Sequence, residues 1–184
     1  MNRHLVAQKS NTFSVSVFAF SAGVYFAVLQ FAYFFLLEAY LTSRSISFFI
    51  ALFFWLIGFL IGLNLQGHQI QRWIFPLSIL GYYVFYFVNV MFPFKTFTLA
   101  FLAICIVISG LYPGYFFVMY NSKFDKIKNF FYIENNGFII GIIFSYFGSI
   151  FAGNLFIKFF PFVAFGFAFL AQLAPNTKSV DERL

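Results

Sequence analysis

A carboxylate and two carboxamides stand side by side in an otherwise apolar stretch, at Glu134, Asn135 and Asn136. Side chains of these types bind cations, protons or polar solute groups, and an ionisable residue inside a membrane is costly enough to mark a candidate site. Glycines follow at a helical spacing, at Gly137 and Gly141, and this spacing is typical of membrane helices whose backbones approach closely. The stretch therefore indicates either a binding site or a helix-packing motif.

The helical period separates these residues into faces. At about 100° per residue, a small and polar stripe carries Glu134 and, after it, Gly137 or Phe138, then Gly141, Ser145 and Gly148. Asn135 and Asn136 are rotated from Glu134 by about 100° and 200°. The stripe is therefore expected to face protein or water rather than lipid.

Two interpretations of Glu134 are open. It lies about one turn inside the predicted cytoplasmic boundary, so its side chain could reach the interface or pair with a loop lysine: Lys123, Lys126 or Lys128. Alternatively, Glu134 and an asparagine line a cavity between the two halves of a helix bundle and bind a cation, a proton or a polar group.

The elements that must position these residues are membrane helices. Of the 184 residues, 62% are hydrophobic and 9% charged, far beyond the roughly 45–50% apolar content of soluble domains. Crossing a hydrocarbon core takes roughly 20 apolar residues, and six runs qualify, at positions 13–41, 46–65, 73–93, 97–120, 130–152 and 155–174. The predicted fold is thus an all-α polytopic bundle of six transmembrane helices over 13–174, with an N-terminal segment 1–12 and a C-terminal tail 175–184.

The distribution of Lys and Arg predicts the orientation. With the N-terminus inside, eight of these residues fall on the cytoplasmic side and three outside, which accounts for all 11. Positive residues concentrate on the cytoplasmic side of membrane proteins, so both termini are predicted to be cytoplasmic. We expect a bacterial inner-membrane protein whose charge serves topology and headgroup contact rather than nucleic-acid binding.

Glycine pairs suggest an internal repeat. Gly58 and Gly62 in the second run have the same spacing as Gly137 and Gly141 in the fifth, and each run is the second of a set of three. Two three-helix repeats would be inverted relative to each other, because an odd number of crossings reverses direction. Helix packing is the simpler role for these glycines, and a gate or cavity is the alternative.

Other polar and helix-bending residues have structural and functional interpretations. Glu38 and Arg44 are separated by about 240° of helical turn, so they could pair only if the helix ends between them. Anchoring at the outer interface is the structural role, and substrate binding is the functional one. In the fourth run, Pro113 removes a backbone hydrogen bond close to Gly110, which predicts a kink or hinge.

Catalytic and metal-binding patterns are missing from the sequence. The only histidines, His4 and His68, lie outside the predicted spans, and Cys105 is the only cysteine. The sequence contains neither a phosphate-binding glycine loop nor a nucleotide fingerprint. We therefore expect no intrinsic enzyme, no metal site and no cofactor.

Four segments together resemble a known family. The segments LLEAYLTSRS, WLIGFLIGLNL, SGLYPGYFF and FYIENNGFIIG are similar to the six-helix membrane domain of spermidine-synthase-like membrane proteins, which looks like one half of a major facilitator transporter. The resemblance covers residues from about 20 to 174. Its matching positions are Glu38 with Arg44, Gly58 with Gly62, Gly110 with Pro113, and Asn135 or Asn136 with Gly137. Family members often continue into a soluble transferase domain, which is not in this sequence, so no aminopropyl transfer is implied.

Two classes of function follow from these patterns. The first is a transporter-like protein that binds or moves a small polar or ionic solute, and six helices would then need a homodimer or a partner membrane protein to complete the usual twelve. The second is a non-catalytic membrane subunit that anchors or docks a partner complex. Besides the lipid bilayer, the expected partner is therefore a second copy or another membrane protein, and not a nucleic acid.

Overall fold

A computed structural model describes residues 2–41, 44–65, 68–92, 96–121, 123–124 and 126–173 of the chain, and its side chains over 13–39, 45–65, 73–92, 99–121, 123–124 and 126–173. The described residues form six α-helices and no strand. The helices are α1 Asn2–Leu41, α2 Arg44–Asn64, α3 His68–Met91, α4 Thr96–Asn121, α5 Ile127–Ala152 and α6 Asn154–Leu173.

Each helix contains a stretch long and apolar enough to cross a membrane. In hydrocarbon, backbone N–H and C=O groups have no water to bond, so an apolar run of this length folds as a helix that satisfies them internally. The predicted all-α class with six spanning helices is confirmed, and the chain is an integral membrane protein. Its many exposed apolar side chains, such as Phe151 at 83% and Trp73 at 76% exposure, contact lipid.

The helices differ in how much of their apolar stretch is buried. In α1 this share is 67% and in α4 it is 56%, whereas in α5 it is 17% and in α6 22%. The side chains of α1 and α4 therefore pack mainly against protein, while α5 and α6 expose most of their surface.

The chain divides into two compact units. The middle unit consists of Leu29–Met119, and the end unit consists of the residues up to Val28 and from Tyr120 onward. The boundary falls inside α1 and near the end of α4, so α1 supplies its N-terminal part to the end unit and its C-terminal part to the middle unit.

A glycine makes the tight connection between α5 and α6. Gly153 takes a positive φ of 51°, a conformation that most side chains disfavour, and its N–H donates to the Ser149 carbonyl at 3.1 Å. The reversal therefore needs almost no loop between the two helices.

Helix α4 continues through its proline. Pro113 lies within Thr96–Asn121, and prolines also lie inside α3, at Pro76, and α6, at Pro161. Because proline lacks an N–H, each position leaves a carbonyl of the preceding turn without its helical hydrogen bond. The hinge at Pro113 stays a prediction.

Candidate functional site

Helix α5 carries the polar stripe, and its buried side is well defined. The buried residues of α5 are Phe130, Gly137, Gly141 and Ser145. Glu134 lies on this same face, one turn after Phe130, and is half-buried. The small residues of the stripe thus face protein, as the helical period predicts.

The partner of this face within the end unit is α1. Gly137 lies against the backbone of Phe20, and an added Cβ at Gly141 would stand 2.7 Å from Ala27 Cβ and 3.0 Å from Val24 Cα. In return, an added Cβ at Gly23 would stand 2.9 Å from the Phe138 nitrogen and would also strike the Glu134 carbonyl. We call this contact the α1–α5 seam; it closes the stripe against a neighbouring backbone next to Glu134.

A second seam of the same kind lies in the middle unit, between α2 and α4. Added Cβ atoms at Gly58 and Gly62 would meet the α4 backbone at Gly110 and Leu111, and one at Gly114 would stand 2.9 Å from the Leu63 nitrogen. Removing side chains lets two helix backbones approach until Cα–H groups contact carbonyl oxygens, which adds weak hydrogen bonds to van der Waals packing. Gly58, Gly62 and Gly110 therefore lie at a helix–helix contact.

The carboxylate of Glu134 has no ionic neighbour among the described residues. Lys126 and Lys128 are exposed before or in the first turn of α5, and the Lys123 ammonium lies over the Tyr120 ring, 4.2 Å from its centroid. None of these three lysines pairs with Glu134 in the described part of the chain. The carboxylate is consequently available for a proton, a cation or the positive group of a ligand.

The two asparagines do not join Glu134 on one face. The Asn136 amide donates to the Tyr132 carbonyl at 2.6 Å, one turn back in the same helix. Asn135 is exposed, and its side chain makes no hydrogen bond to any described residue. The structure thus places Glu134 on the protein-facing edge of α5 and Asn135 on its outward surface.

The outer pair, Glu38 and Arg44, is described only in part. Helix α1 ends at Leu41 and α2 begins at Arg44, so the helix does end between the two residues, which is the condition for their pairing. Glu38 is half-buried, whereas the Arg44 side chain lies outside the described residues. Their interaction therefore stays a prediction.

A buried hydroxyl cluster in the middle unit was not foreseen from the sequence. Ser109 Oγ donates to the Ser78 carbonyl at 2.6 Å, and the Tyr33 hydroxyl lies 2.7 Å from Ser109 Oγ and 3.2 Å from the Cys105 carbonyl. Since the single Ser109 proton goes to Ser78, Tyr33 is the donor to Ser109. This hydroxyl cluster connects α1, α3 and α4 with its hydrogen-bonding groups satisfied.

Ser145 differs from this cluster. It is fully buried on the α5 stripe, yet its hydroxyl has no hydrogen-bond partner among the described residues. Other serines in these helices bond their own helix, as Ser21 does to the Val17 carbonyl at 2.7 Å. A buried hydroxyl without a hydrogen bond lowers the stability of the folded state by about 1–3 kcal/mol. Ser145, one turn after Gly141, is therefore a second polar feature of the stripe.

Metal-ligating side chains do not gather in the described regions. No group of three or more His, Cys, Asp or Glu residues comes together there, and Cys105 is buried in α4. The chemistry within reach of the candidate site is that of one carboxylate and nearby neutral polar groups.

Comparison of the chain with protein-family models, with curated proteins and with solved structures found no match.

Proposed function

We propose that the protein is transporter-like, one half of a major-facilitator-type bundle that binds or moves a small polar or ionic solute. The observation that carries this proposal is Glu134, a half-buried carboxylate in a membrane helix with no ion pair among the described residues. Ionisable groups at such positions are costly and usually mark an ion, proton or substrate path. A purely structural carboxylate would be expected to use one of the nearby lysines.

A repeated sequence pattern supports the two-repeat architecture that such half-bundles have. Each helix of the first three shares a small-residue or proline spacing with the helix three places later. The matching pairs are Gly23-x3-Ala27 in α1 with Gly110-x3-Gly114 in α4, Gly58-x3-Gly62 in α2 with Gly137-x3-Gly141 in α5, and Pro76-x4-Gly81 in α3 with Pro161-x4-Gly166 in α6. The six motifs supply a stronger internal repeat than the glycine pairs of α2 and α5 alone.

Helix pairing repeats in the same way inside each unit. In the end unit, α1 packs on α5 through the α1–α5 seam and on α6 through the Tyr25 and Phe165 rings, 5.9 Å apart. In the middle unit, α4 packs on α2 through glycines and on α3 through the stacked Phe75 and Tyr112 rings, 4.5 Å apart. If α1, α2 and α3 are exchanged with α4, α5 and α6 in that order, one set of helix pairings becomes the other. Two related three-helix repeats are expected to show this.

The same proposal includes membership of the spermidine-synthase-like membrane family, on the motifs at Glu38 with Arg44, Gly58 with Gly62, Gly110 with Pro113, and Asn135 or Asn136 with Gly137. It also includes a bacterial inner-membrane location with both termini in the cytoplasm, on the distribution of Lys and Arg. Six helices supply half of the usual twelve, so the working unit is a homodimer or a complex with a partner membrane protein.

The alternative function is a membrane subunit that docks a partner complex. Two observations favour it. The glycine seam closes much of the α5 stripe against α1. Lys123, Lys126 and Lys128 are all exposed before or in the first turn of α5, where they could meet an acidic partner surface. In this case Glu134 would need no ligand.

Reconstitution into liposomes tests the role of Glu134. The native protein and the Glu134→Gln variant are assayed for Na⁺, K⁺ and proton flux with entrapped dyes and for cation-dependent thermal stability in detergent. Asp181→Asn, in the C-terminal tail outside the predicted spans, is the carboxylate control. We expect a cation- or proton-dependent signal that is lost in Glu134→Gln and kept in Asp181→Asn. If all three proteins behave alike, Glu134 has no ligand-binding role.

Purification in mild detergent decides between the two functions. Determination of the intact mass and of every co-purifying chain is expected to give a homodimer or a single membrane partner. Stoichiometric recovery with a soluble complex, abolished when Lys126 and Lys128 are replaced by Gln, would support the docking subunit instead.

A further inference from the structure

Of the many exposed residues of α5, which also include Phe147 and Phe151, five share one line along the outward surface. Tyr132, Ile139, Tyr146 and Ile150 are exposed by 72%, 54%, 58% and 59%, and Asn135 lies among them as an exposed residue. The steps between them are three, four, seven and four residues, which is the spacing of the apolar seam between two helices that pack along their length. We call these five residues the outer α5 face.

Asn135 is the polar exception on this face, and its depth matters. Helix α5 has 26 residues and is about 39 Å long at 1.5 Å per residue, which exceeds a hydrocarbon core of about 30 Å. Asn135 is eight residues after Ile127, or about 12 Å along the helix, so in a centred helix it lies inside the core. An amide exposed to hydrocarbon there would lose its hydrogen bonds to water without replacing them, which is unfavourable.

We propose that the outer α5 face binds the same face of a second copy of this chain, with the two Asn135 amides in contact. Two copies inserted in the same orientation are related by a two-fold axis along the membrane normal, which places identical residues at identical depth. An amide is both donor and acceptor, so two asparagines at that axis satisfy each other. Such an asparagine also fixes the register of two packed helices.

Other exposed helix surfaces provide a contrast. In α6, Val163 and Phe167 are exposed by 63% and 55%, and in α2, Leu60 is exposed by 58%. The exposed amide on α2, Asn64, already donates to the Leu60 carbonyl at 2.9 Å. These surfaces suit lipid, whereas Asn135 has no such partner among the described residues.

The proposal rests on the homodimeric form of the proposed function and narrows it to one surface. Disulfide cross-linking in native membranes tests it, in a Cys105→Ala background that removes the only native cysteine. Single cysteines at Asn135 and Ile139 are compared with controls at Val163 in α6 and Leu60 in α2. Under mild oxidation we expect dimers from the first two and monomers from both controls.

Each outcome separates the surface from the function. Dimers from the Val163→Cys or Leu60→Cys controls, and none from α5, would overturn the outer α5 face while keeping a homodimer. Monomers throughout, with an intact mass of one chain, would overturn the dimer as well. Rapid labelling of Asn135→Cys by a membrane-impermeant thiol reagent would show a water-exposed position and overturn the pairing.

A second measurement examines the amide itself. We expect Asn135→Leu to raise the dimer dissociation constant in liposomes by about 3- to 30-fold, the range for one interhelical polar contact in a membrane, while Asn64→Leu leaves it unchanged. An unaltered constant for Asn135→Leu would overturn the contact between amides. At high protein density the Asn135→Leu variant is driven back into dimers. If these dimers still carry cation or proton flux, the role of Glu134 stands independently of the contact between amides.

Discussion

The middle unit and the end unit use the same glycine packing but place different polar groups beside it. In the middle unit, the α2–α4 seam is accompanied by a hydroxyl cluster in which Tyr33 donates to Ser109 and Ser109 donates to Ser78. In the end unit, the α1–α5 seam is accompanied by Ser145, whose hydroxyl has no partner among the described residues, and by Glu134 without an ion pair there.

The two arrangements have different energetic consequences. Buried polar groups that satisfy each other hold helices in one arrangement, so the hydroxyl cluster is a structural element of the middle unit. Polar groups left unsatisfied within a chain carry a cost that a ligand, a water molecule or another chain can remove. Ser145 is such a group on α5, the helix with the smallest buried share, at 17%.

The largest effect is expected at the glycine seams that both units share. Gly114→Ala places a methyl group 2.9 Å from the Leu63 nitrogen, and Gly23→Ala places one 2.9 Å from the Phe138 nitrogen. Because both neighbours are backbone atoms, the clash can be relieved only if the two helices move apart. We expect each to destabilise the protein by about 2–4 kcal/mol. Thermal or denaturant unfolding of the purified protein in detergent measures this change.

Gly166 provides the control for this experiment. An added Cβ there meets nothing within 4 Å, so Gly166→Ala should be neutral or should stabilise the protein by up to about 1 kcal/mol through helix propensity. If Gly23→Ala leaves the unfolding free energy unchanged while Gly114→Ala lowers it, only the middle unit depends on its glycine seam. The two units would then not be equivalent in their helix packing.

A smaller effect is expected in the hydroxyl cluster. Ser109→Ala removes the hydrogen bond to the Ser78 carbonyl and leaves Tyr33 with only its 3.2 Å contact to the Cys105 carbonyl. We expect a loss of about 1–2 kcal/mol in unfolding free energy. Tyr33→Phe should lose less, because Ser109 keeps its bond to Ser78, and equal stability of Ser109→Ala and native protein would contradict the structural role of the cluster.

The fold was largely predictable because membrane insertion imposes one strong rule. Apolar runs of about 20 residues must be helical, and the predicted runs at 13–41 and 155–174 lie close to the apolar parts of α1 and α6. The spacing of Gly137 and Gly141 indicated close helix packing but could not name the partner helix. Gly23 and Ala27 have the same small-residue spacing in α1. This spacing is visible in the sequence, but only the structure shows that these two residues contact α5.

The candidate site was less predictable. Glu134 stands out in the sequence because a carboxylate is rare in an apolar run, but its missing ion pair depends on where Lys123, Lys126 and Lys128 lie. The hydroxyl cluster left no recognisable pattern, since Tyr33, Ser78 and Ser109 are far apart in the chain and serines and tyrosines are common in membrane helices. Such contacts depend on how three helices meet, which local periodicity does not specify.

The smallest effect, and one of opposite sign, is expected at Ser145. Because its hydroxyl is fully buried without a partner among the described residues, Ser145→Ala removes an uncompensated polar group and keeps the close packing of the stripe. We expect the unfolding free energy to stay unchanged or to rise by up to about 1 kcal/mol, in contrast to the loss from Ser109→Ala. Unfolding of the two variants under identical detergent conditions makes the comparison. If Ser145→Ala instead destabilises the protein as much as Ser109→Ala, then Ser145 has a partner in the working protein, and the end unit is as well satisfied as the middle unit at that position. Glu134 would then be the remaining unsatisfied group on the buried edge of α5, and the search for a bound solute would narrow to that carboxylate.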